Sequence, residues 1–256
     1  MRRLAEDAWF LLGLTLGRML RSARYAHVRI SDLDGMHVVL KRRRFYAPVL
    51  VAMGNPLLRL LNAGVRILPH SEWHERELGM YRELHNDSIR IESDGTLVLP
   101  FLPGIPLATV LENEQLDESN RLLTIERAVV ALAEFHHRGF THGDAMAENV
   151  MIDGAAGAAQ WFDFETVHDP RRAMVWRRAD DVRALLATCL LRTARAELAR
   201  TLHHVLDVYA DEDVARLVAA SFGSVWQRPL VFHLGQAGLS LERYREIRRL
   251  LTARVA

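Results

Sequence analysis

Across residues 142–165 the chain reads His142-Gly143-Asp144-Ala145-Met146-Ala147-Glu148-Asn149-Val150-Met151 and later Gln160-Trp161-Phe162-Asp163-Phe164-Glu165, after a helical pattern that ends His136-His137-Arg138-Gly139. An aspartate, an asparagine five positions on and a second aspartate after another short strand are thus set among apolar residues. Carboxylate and carboxamide oxygens of this kind suit Mg²⁺, a hard cation that takes few protein ligands and shares its shell with phosphate oxygens. A separate carboxylate is the group that orients an acceptor hydroxyl in phosphoryl transfer.

A second constraint lies upstream. Of 33 Lys+Arg residues in the 256, Lys41 is the only lysine. A general preference for arginine explains the bias but not the place of the exception, at the end of Val38-Val39-Leu40-Lys41. A compact ammonium and a planar guanidinium are not interchangeable ligands. A carboxylate partner is expected on the following helix, where Glu75 and Glu77 compete. Trp73, Glu77, Met80, Tyr81 and Leu84 recur at helical spacing, which puts Glu77 on the inward face and Glu75 on a solvated one. An inward glutamate is costly unless paired.

The rest of the chain supports an ordinary globule of α+β class. Residues 25–30 and 36–40 read as strands of a hairpin turning at Asp34-Gly35. Ser71 is a candidate N-cap for a helix to about residue 85, and residues 96–102 read as a short strand ending in Pro103-Gly104. From Arg121 onward the pattern is mainly helical, with Leu122, Ile125, Val129, Leu132 and His136 on one face. Further helices are expected at 180–192, 196–209, 214–222 and 241–253. Residues 45–58 contain Pro48, Gly54 and Pro56 and should not form one helix; they read as a hydrophobic flap or a buried loop.

Composition excludes several classes. The 33 basic residues nearly cancel 32 acidic ones, so no net field recommends nucleic acid. Cys189 is the only cysteine, which rules out an internal disulfide, disfavours a zinc cluster and points to a reducing, cytoplasmic setting. Its expected role is helix packing. The uncharged run at residues 8–17 is too short to span a membrane and is preceded by Glu6 and Asp7, so neither an export signal nor a transmembrane helix is read. Residues 4–20 nevertheless read as a helix candidate, expected to pack on the body or to lie in a lipid interface at the inner face of the membrane.

The spacing of Asp144, Asn149 and Asp163 resembles the catalytic loop of the protein-kinase-like superfamily, with His-Gly-Asp for His-Arg-Asp and Asp-Phe-Glu for Asp-Phe-Gly. The resemblance covers roughly residues 21–190; the last 65 or so match no named motif. It implies a two-lobed fold with an N-terminal helix at 1–20, a small lobe at 21–102 and a helical lobe at 103–256. It implies Asp144 as catalytic base, Asn149 and Asp163 as Mg²⁺ ligands, His142 as a structural anchor, and Lys41, paired with Glu77, as the residue holding the ATP phosphates. Leu99-Pro100-Phe101-Leu102-Pro103-Gly104 resembles the adenine-binding hinge, where the Pro100 carbonyl accepts and the Leu102 N–H donates, although an ordinary strand end fits equally. Val28 and Val39 would flank the nucleotide. Asp181 resembles the helix aspartate that braces the catalytic loop; Asp180 is an alternative, or an N-cap.

The departures narrow the function. No Gly-rich loop precedes the hairpin, Gly143 replaces the arginine that grips a phosphorylated activation loop, and only 18 positions separate Asp163 from Asp181, with no Ala-Pro-Glu between. The platform for a peptide substrate is therefore expected to be missing. These features match RIO-like, aminoglycoside, choline and lipopolysaccharide (Kdo/heptose) kinases. The expected activity is transfer of the ATP γ-phosphate to a hydroxyl of a small-molecule or glycolipid acceptor; a RIO-like serine/threonine protein kinase and a nucleotide-binding pseudokinase scaffold are the alternatives. Oligomeric state is not legible.

Overall fold

The computed structural model describes residues 25–33, 35–60, 63–85, 89–223 and 238–255. The N-terminal part is built on a four-stranded antiparallel sheet of order β1-β2-β5-β4, from β1 (Ala26–Leu33), β2 (Met36–Arg43), β5 (Leu97–Pro100) and β4 (Arg90–Ile91). The β1–β2 turn is closed by Gly35 at φ 76°, whose N–H donates to Asp32 Oδ1 at 3.0 Å. A left-handed φ carries no Cβ penalty at glycine.

Between β2 and β4 come α1 (Ala47–Leu60), β3 (Val65–Ile67) and α2 (His70–His85). Residues 47–58 are thus part of one helix, against the expectation from their prolines. Pro48 falls in the first turn, where its missing N–H has no intrahelical partner anyway. Pro56 does lie inside, at a cost of about 3 kcal/mol. The inward face of Ala47, Val51, Gly54 and Leu58 offsets it. Val51 and Leu58 pack with Ala63, Val65 and Ile67 in a small core, and two such side chains together contribute roughly 3–6 kcal/mol. Asn55 fastens the same helix to β3: its Nδ2 donates to Ile67 O at 2.9 Å and its Oδ1 accepts the Ile67 N–H at 2.8 Å.

The α2 helix starts one residue before Ser71, which lies in its first turn and does not cap it. Its inward face is Trp73, Glu77, Met80 and Tyr81, while Glu75 is exposed.

Beyond β5 the chain crosses residues 101–104 to β6 (Ile105–Pro106), α3 (Leu107–Leu111) and α4 (Glu118–His137), which is capped by Asp117 accepting the Asn120 N–H at 2.9 Å. A 3₁₀ turn at Ala147–Asn149 leads into β7 (Val150–Asp153) and β8 (Ala158–Trp161), and β6-β7-β8 form an antiparallel sheet. Next, β9 (Thr166–His168) pairs with β3, and the chain ends in α5 (Met174–Leu191), α6 (Leu198–Tyr209), α7 (Glu212–Gly223) and α8 (Leu241–Val255). The architecture is α+β, strand-rich in its N-terminal part and mainly helical after it.

One core runs through both parts, from Trp73, Leu97 and Leu99 through Leu132, Phe135 and Phe164 to Leu185, Phe222 and Leu251. Cys189 is buried within it on α5. Since α5 begins at Met174, Asp180 is a helix-interior residue and not an N-cap. Residues 4–20 lie outside the described residues. Among the described residues no helix is long and apolar enough to cross a membrane.

Candidate active site

Strand registry assembles one wall of the site. Val28 stands opposite Lys41 and Ile30 opposite Val39 across β1–β2, while Val39 faces Leu99 and Lys41 faces Leu97 across β2–β5. Directly opposed residues share a face, so Val28, Val39 and Leu99 line the face on which Lys41 stands. Pro100 pairs with Val38 at the end of β5, and the buried Leu102 follows in the crossing segment.

Lys41 is 5% exposed. Its Nζ donates to Glu77 Oε1 on α2 and to Asp163 Oδ1, which precedes β9. Burial opposes the charge, but Asp163, Glu77 and Glu165 overcome it and hold the ammonium well above its ordinary range. The Trp73 indole N–H also donates to Glu77 Oε1, at 3.2 Å, and its ring lies 5.6 Å from the ammonium. Asp163 has φ 69°, a left-handed conformation that glycine usually takes and other residues rarely do.

Two neighbours were given no role in the site by the sequence, although Glu165 closes the Asp-Phe-Glu run. Arg43, two residues beyond Lys41 on the same strand face, is buried, donates to Leu68 O at 2.6 Å and lies 4.8 Å over the Trp73 ring. The period-2 pattern of β2 carried the signal for it. Glu165 has a buried Oε2 with no hydrogen-bond partner. Burial and the charge of Asp163 push its carboxyl up to about 7, against the pull of Lys41 and Arg43. Its role depends on long-range burial, which no local pattern reports.

The residues of the 142–149 loop are joined to one another. Asn149 Nδ2 donates to Asp144 O at 2.8 Å and to Asp144 Oδ2 at 3.2 Å, joining the two ends of the loop. His142 is fully buried. Its Nε2 lies 3.0 Å from Phe162 O, which can only accept, so that nitrogen carries the proton; Nδ1 then accepts from the Asp144 N–H at 3.3 Å. Burial pushes this imidazole down to about 4, which keeps it in the neutral tautomer the bonds require.

Asp181 braces the loop. Its carboxylate accepts the N–H of His142 at 2.7 Å and of Gly143 at 2.9 Å, and His136 Nε2 lies 3.0 Å away. Burial would raise its carboxyl, yet His168, His136 and His142 bring it below its ordinary value. Asp180 is committed elsewhere, to Arg183 and to His168 at 3.2 Å. Gly143 itself has φ 85°, and a Cβ there would meet Thr166 O at 2.9 Å. Any side chain here, arginine included, is strained by that φ and forces the backbone of β9 or of the loop to shift.

Among the described residues no three His, Cys, Asp or Glu side chains form a metal cluster. Asn149 and Asp163 nevertheless fit Mg²⁺, which needs only one or two protein ligands when phosphate oxygens supply others. The Asn149 amide nitrogen is spent on Asp144, which leaves its carbonyl oxygen as the coordinating end, and carboxylates outnumber cations around Lys41.

No protein-family model and no curated protein matches this chain. Among solved structures it is similar to the crystal structure of Rad53 1-466 in complex with AMP-PNP, with 13% identity and a TM-score of 0.41 over 85% of this chain and 62% of that one. The chain therefore spans about three fifths of that structure's length.

Proposed function

We propose that the protein is an ATP-dependent phosphotransferase of protein-kinase-like architecture whose acceptor is a hydroxyl of a non-peptide molecule, a sugar or glycolipid. The observation that carries this reading is the convergence on Lys41 of Glu77 from α2 and Asp163 from the segment before β9. A lysine so held presents its remaining hydrogen toward phosphate oxygens and is fixed in place by both carboxylates.

In this reading Val28, Val39, Leu99, Pro100 and Leu102 receive the adenine, and Lys41 holds the α- and β-phosphates. Asn149 and Asp163 would hold Mg²⁺, which when bound offsets charge on the phosphate oxygens. Asp144 takes the proton of the acceptor hydroxyl as the new O–P bond forms. The bond from the γ-phosphorus to the bridging oxygen breaks, and ADP leaves with that electron pair. The buried network of His142, Asp181 and Asn149 sets the position of Asp144 before the acceptor arrives, which is the part of catalysis that positioning supplies.

A non-peptide acceptor is favoured by the segment between Asp163 and Asp181. It is taken up by β9, one edge of which pairs with β3, and by the first two turns of α5. Few residues remain there from which a platform for an extended peptide could be built.

A phosphate-transfer screen over sugars, glycolipids, choline-like alcohols and aminoglycosides tests the proposal, with protein autophosphorylation scored in parallel. Transfer to a hydroxyl compound is the expected result. ATP·Mg²⁺ binding without turnover on any acceptor would make the protein a nucleotide-binding scaffold instead, and autophosphorylation on Ser or Thr would make it a protein kinase.

A further inference from the structure

The α1 helix is apolar on every side. Asn55 and Arg59 are its only polar side chains, and Asn55 is spent on the Ile67 backbone. One face, Ala47, Val51, Gly54 and Leu58, is buried. The opposite face is Val49, Met53, Pro56 and Leu60, which fall within about 60° of one another at the turn of an α-helix. Val49 is 60%, Met53 69% and Leu60 77% exposed. Phe45, just before the helix, is 94% exposed, its ring edge-on to Tyr46 at 5.2 Å.

A surface helix ordinarily turns charged or polar residues away from the core. Here the outward stripe carries none along the whole of α1, about 20 Å. Arg59 stands to one side of it. Contiguous apolar exposure of this kind marks a contact surface for protein or membrane.

The charge around the stripe favours the membrane. No Asp or Glu occurs from Gly35 through Ser71, while Arg44 directly precedes Phe45 and Arg59 directly precedes Leu60. Arg59 is exposed, and the Arg44 guanidinium lies 5.9 Å from the Tyr46 ring, so a cation stands at each end of the stripe. Arg42 and Arg66 are answered by Asp94 at 3.0 Å and Glu72 at 2.6 Å and add no net charge. An apolar stripe with arginines at its ends complements anionic headgroups over acyl chains, where side-chain burial and cation attraction add. Four apolar side chains are also a small footprint beside the roughly 800 Å² per partner that a stable protein–protein interface buries.

We propose that the outward face of α1 seats the protein on an anionic lipid bilayer, with Phe45, Val49, Met53 and Leu60 inserted and Arg44 and Arg59 at the headgroups. Asn55 ties α1 to β3, β3 pairs with β9, and Thr166 and Val167 of β9 lie against Gly143. The seat is thus joined to the catalytic loop through one short strand. Docking stands without the phosphotransferase reading; resting on that reading, it makes the acceptor a glycolipid in the bilayer and not a free sugar.

Sedimentation of the full chain with phosphatidylcholine vesicles, with and without phosphatidylglycerol, tests the proposal. The anionic vesicles should capture the wild type. Met53→Glu/Leu60→Glu, at exposed positions, should lower the partition coefficient on the order of a hundred-fold. Arg59→Gln should lower it about five-fold on anionic vesicles, with Arg59→Lys close to wild type. A direct readout of insertion comes from Met53→Cys carrying a fluorophore, because Cys189 is buried and leaves the new thiol as the one labelled. Spin-labelled lipid should quench it.

A label that stays unquenched while the protein sediments would place the membrane contact elsewhere, residues 4–20 included, and overturn the proposal, as would no capture of the wild type. A dimer that Met53→Glu/Leu60→Glu dissociates, in place of vesicle capture, would make a second copy the occupant and overturn it too. Vesicle capture with no phosphate transfer to any acceptor would sink the phosphotransferase reading alone. Transfer to soluble sugars without capture would sink this inference alone.

Discussion

The ammonium of Lys41 bonds the carboxylate of Asp163, 122 residues further along the chain. The same ammonium holds Glu77, so one cation joins the β-sheet, the α2 helix and the segment before β9 at a single buried point. Loss of that cation leaves two carboxylates facing each other with Arg43 as the remaining buried cation beside them.

Lys41→Met should therefore cost about 3–5 kcal/mol of stability, the range for breaking a buried pair. Adding Glu77→Met should recover much of the loss, because apolar side chains can replace a buried pair. ATP·Mg²⁺ binding should stay absent in both. Urea unfolding together with thermal shift on ATP·Mg²⁺ checks this; nucleotide binding by the double variant would remove Lys41 from the phosphate site.

Asp144→Asn should lower phosphate transfer by about 10² to 10⁴ while leaving the ATP·Mg²⁺ thermal shift nearly intact. Asn149 would still find the Asp144 backbone carbonyl, which accepts one of its two bonds. Single-turnover rates on the acceptor found by the screen decide the matter, and wild-type rates would refute the assignment of the base.

Asp181→Ala should destabilise the protein by roughly 3 kcal/mol, since it strands the buried N–H groups of His142 and Gly143. Asp180→Ala should also destabilise, by leaving Arg183 buried without its carboxylate, but it should not loosen the catalytic loop. Hydrogen exchange at residues 142–144 separates the two: faster exchange is expected for Asp181→Ala alone.

Gly143→Ala should cost about 1–3 kcal/mol through its left-handed φ and the contact with the Thr166 carbonyl. A thermal midpoint equal to wild type would mean that the loop can retreat from β9.

His142 gives the stability a pH dependence of known sign. Its folded form protonates only near pH 4, while the unfolded side chain does so near 6.5. The unfolded chain thus takes up a proton that the folded chain refuses, so stability is full above about pH 6.5 and falls as the pH drops toward 4. About 3 kcal/mol is the scale of the loss. Urea titrations from pH 7 to 4.5 should show a steeper decline for the wild type than for His142→Gln; parallel declines would contradict it.

Much of the site was legible because its signals are local. The spacing of Asp144, Asn149 and Asp163 needs only a loop and a strand. Helical periodicity alone put Glu77 inward, as the structure has it. The lone lysine stood out by chemistry, and its strand by the run Val38-Val39-Leu40.

Other features were hidden because their causes lie far along the chain. Two prolines argued against a helix at residues 47–58, and the propensity argument failed because β3 buries the helix's inward face and Asn55 ties it down. Arg43 and Glu165 look like ordinary charged residues until the fold buries them beside Lys41. The resemblance pointed to Asp181 ahead of Asp180, and the fold shows why: its carboxylate is the one that faces the N–H groups of residues 142 and 143. Val49, Met53 and Leu60 are left outside only because the opposite face of α1 packs with β3. Sequence by itself determined which chemical groups are available and which face of each element they occupy, because periodicity is a property of neighbours. Tertiary structure alone decided which of those groups lose water and meet, because desolvation and long-range pairing belong to the folded chain as a whole.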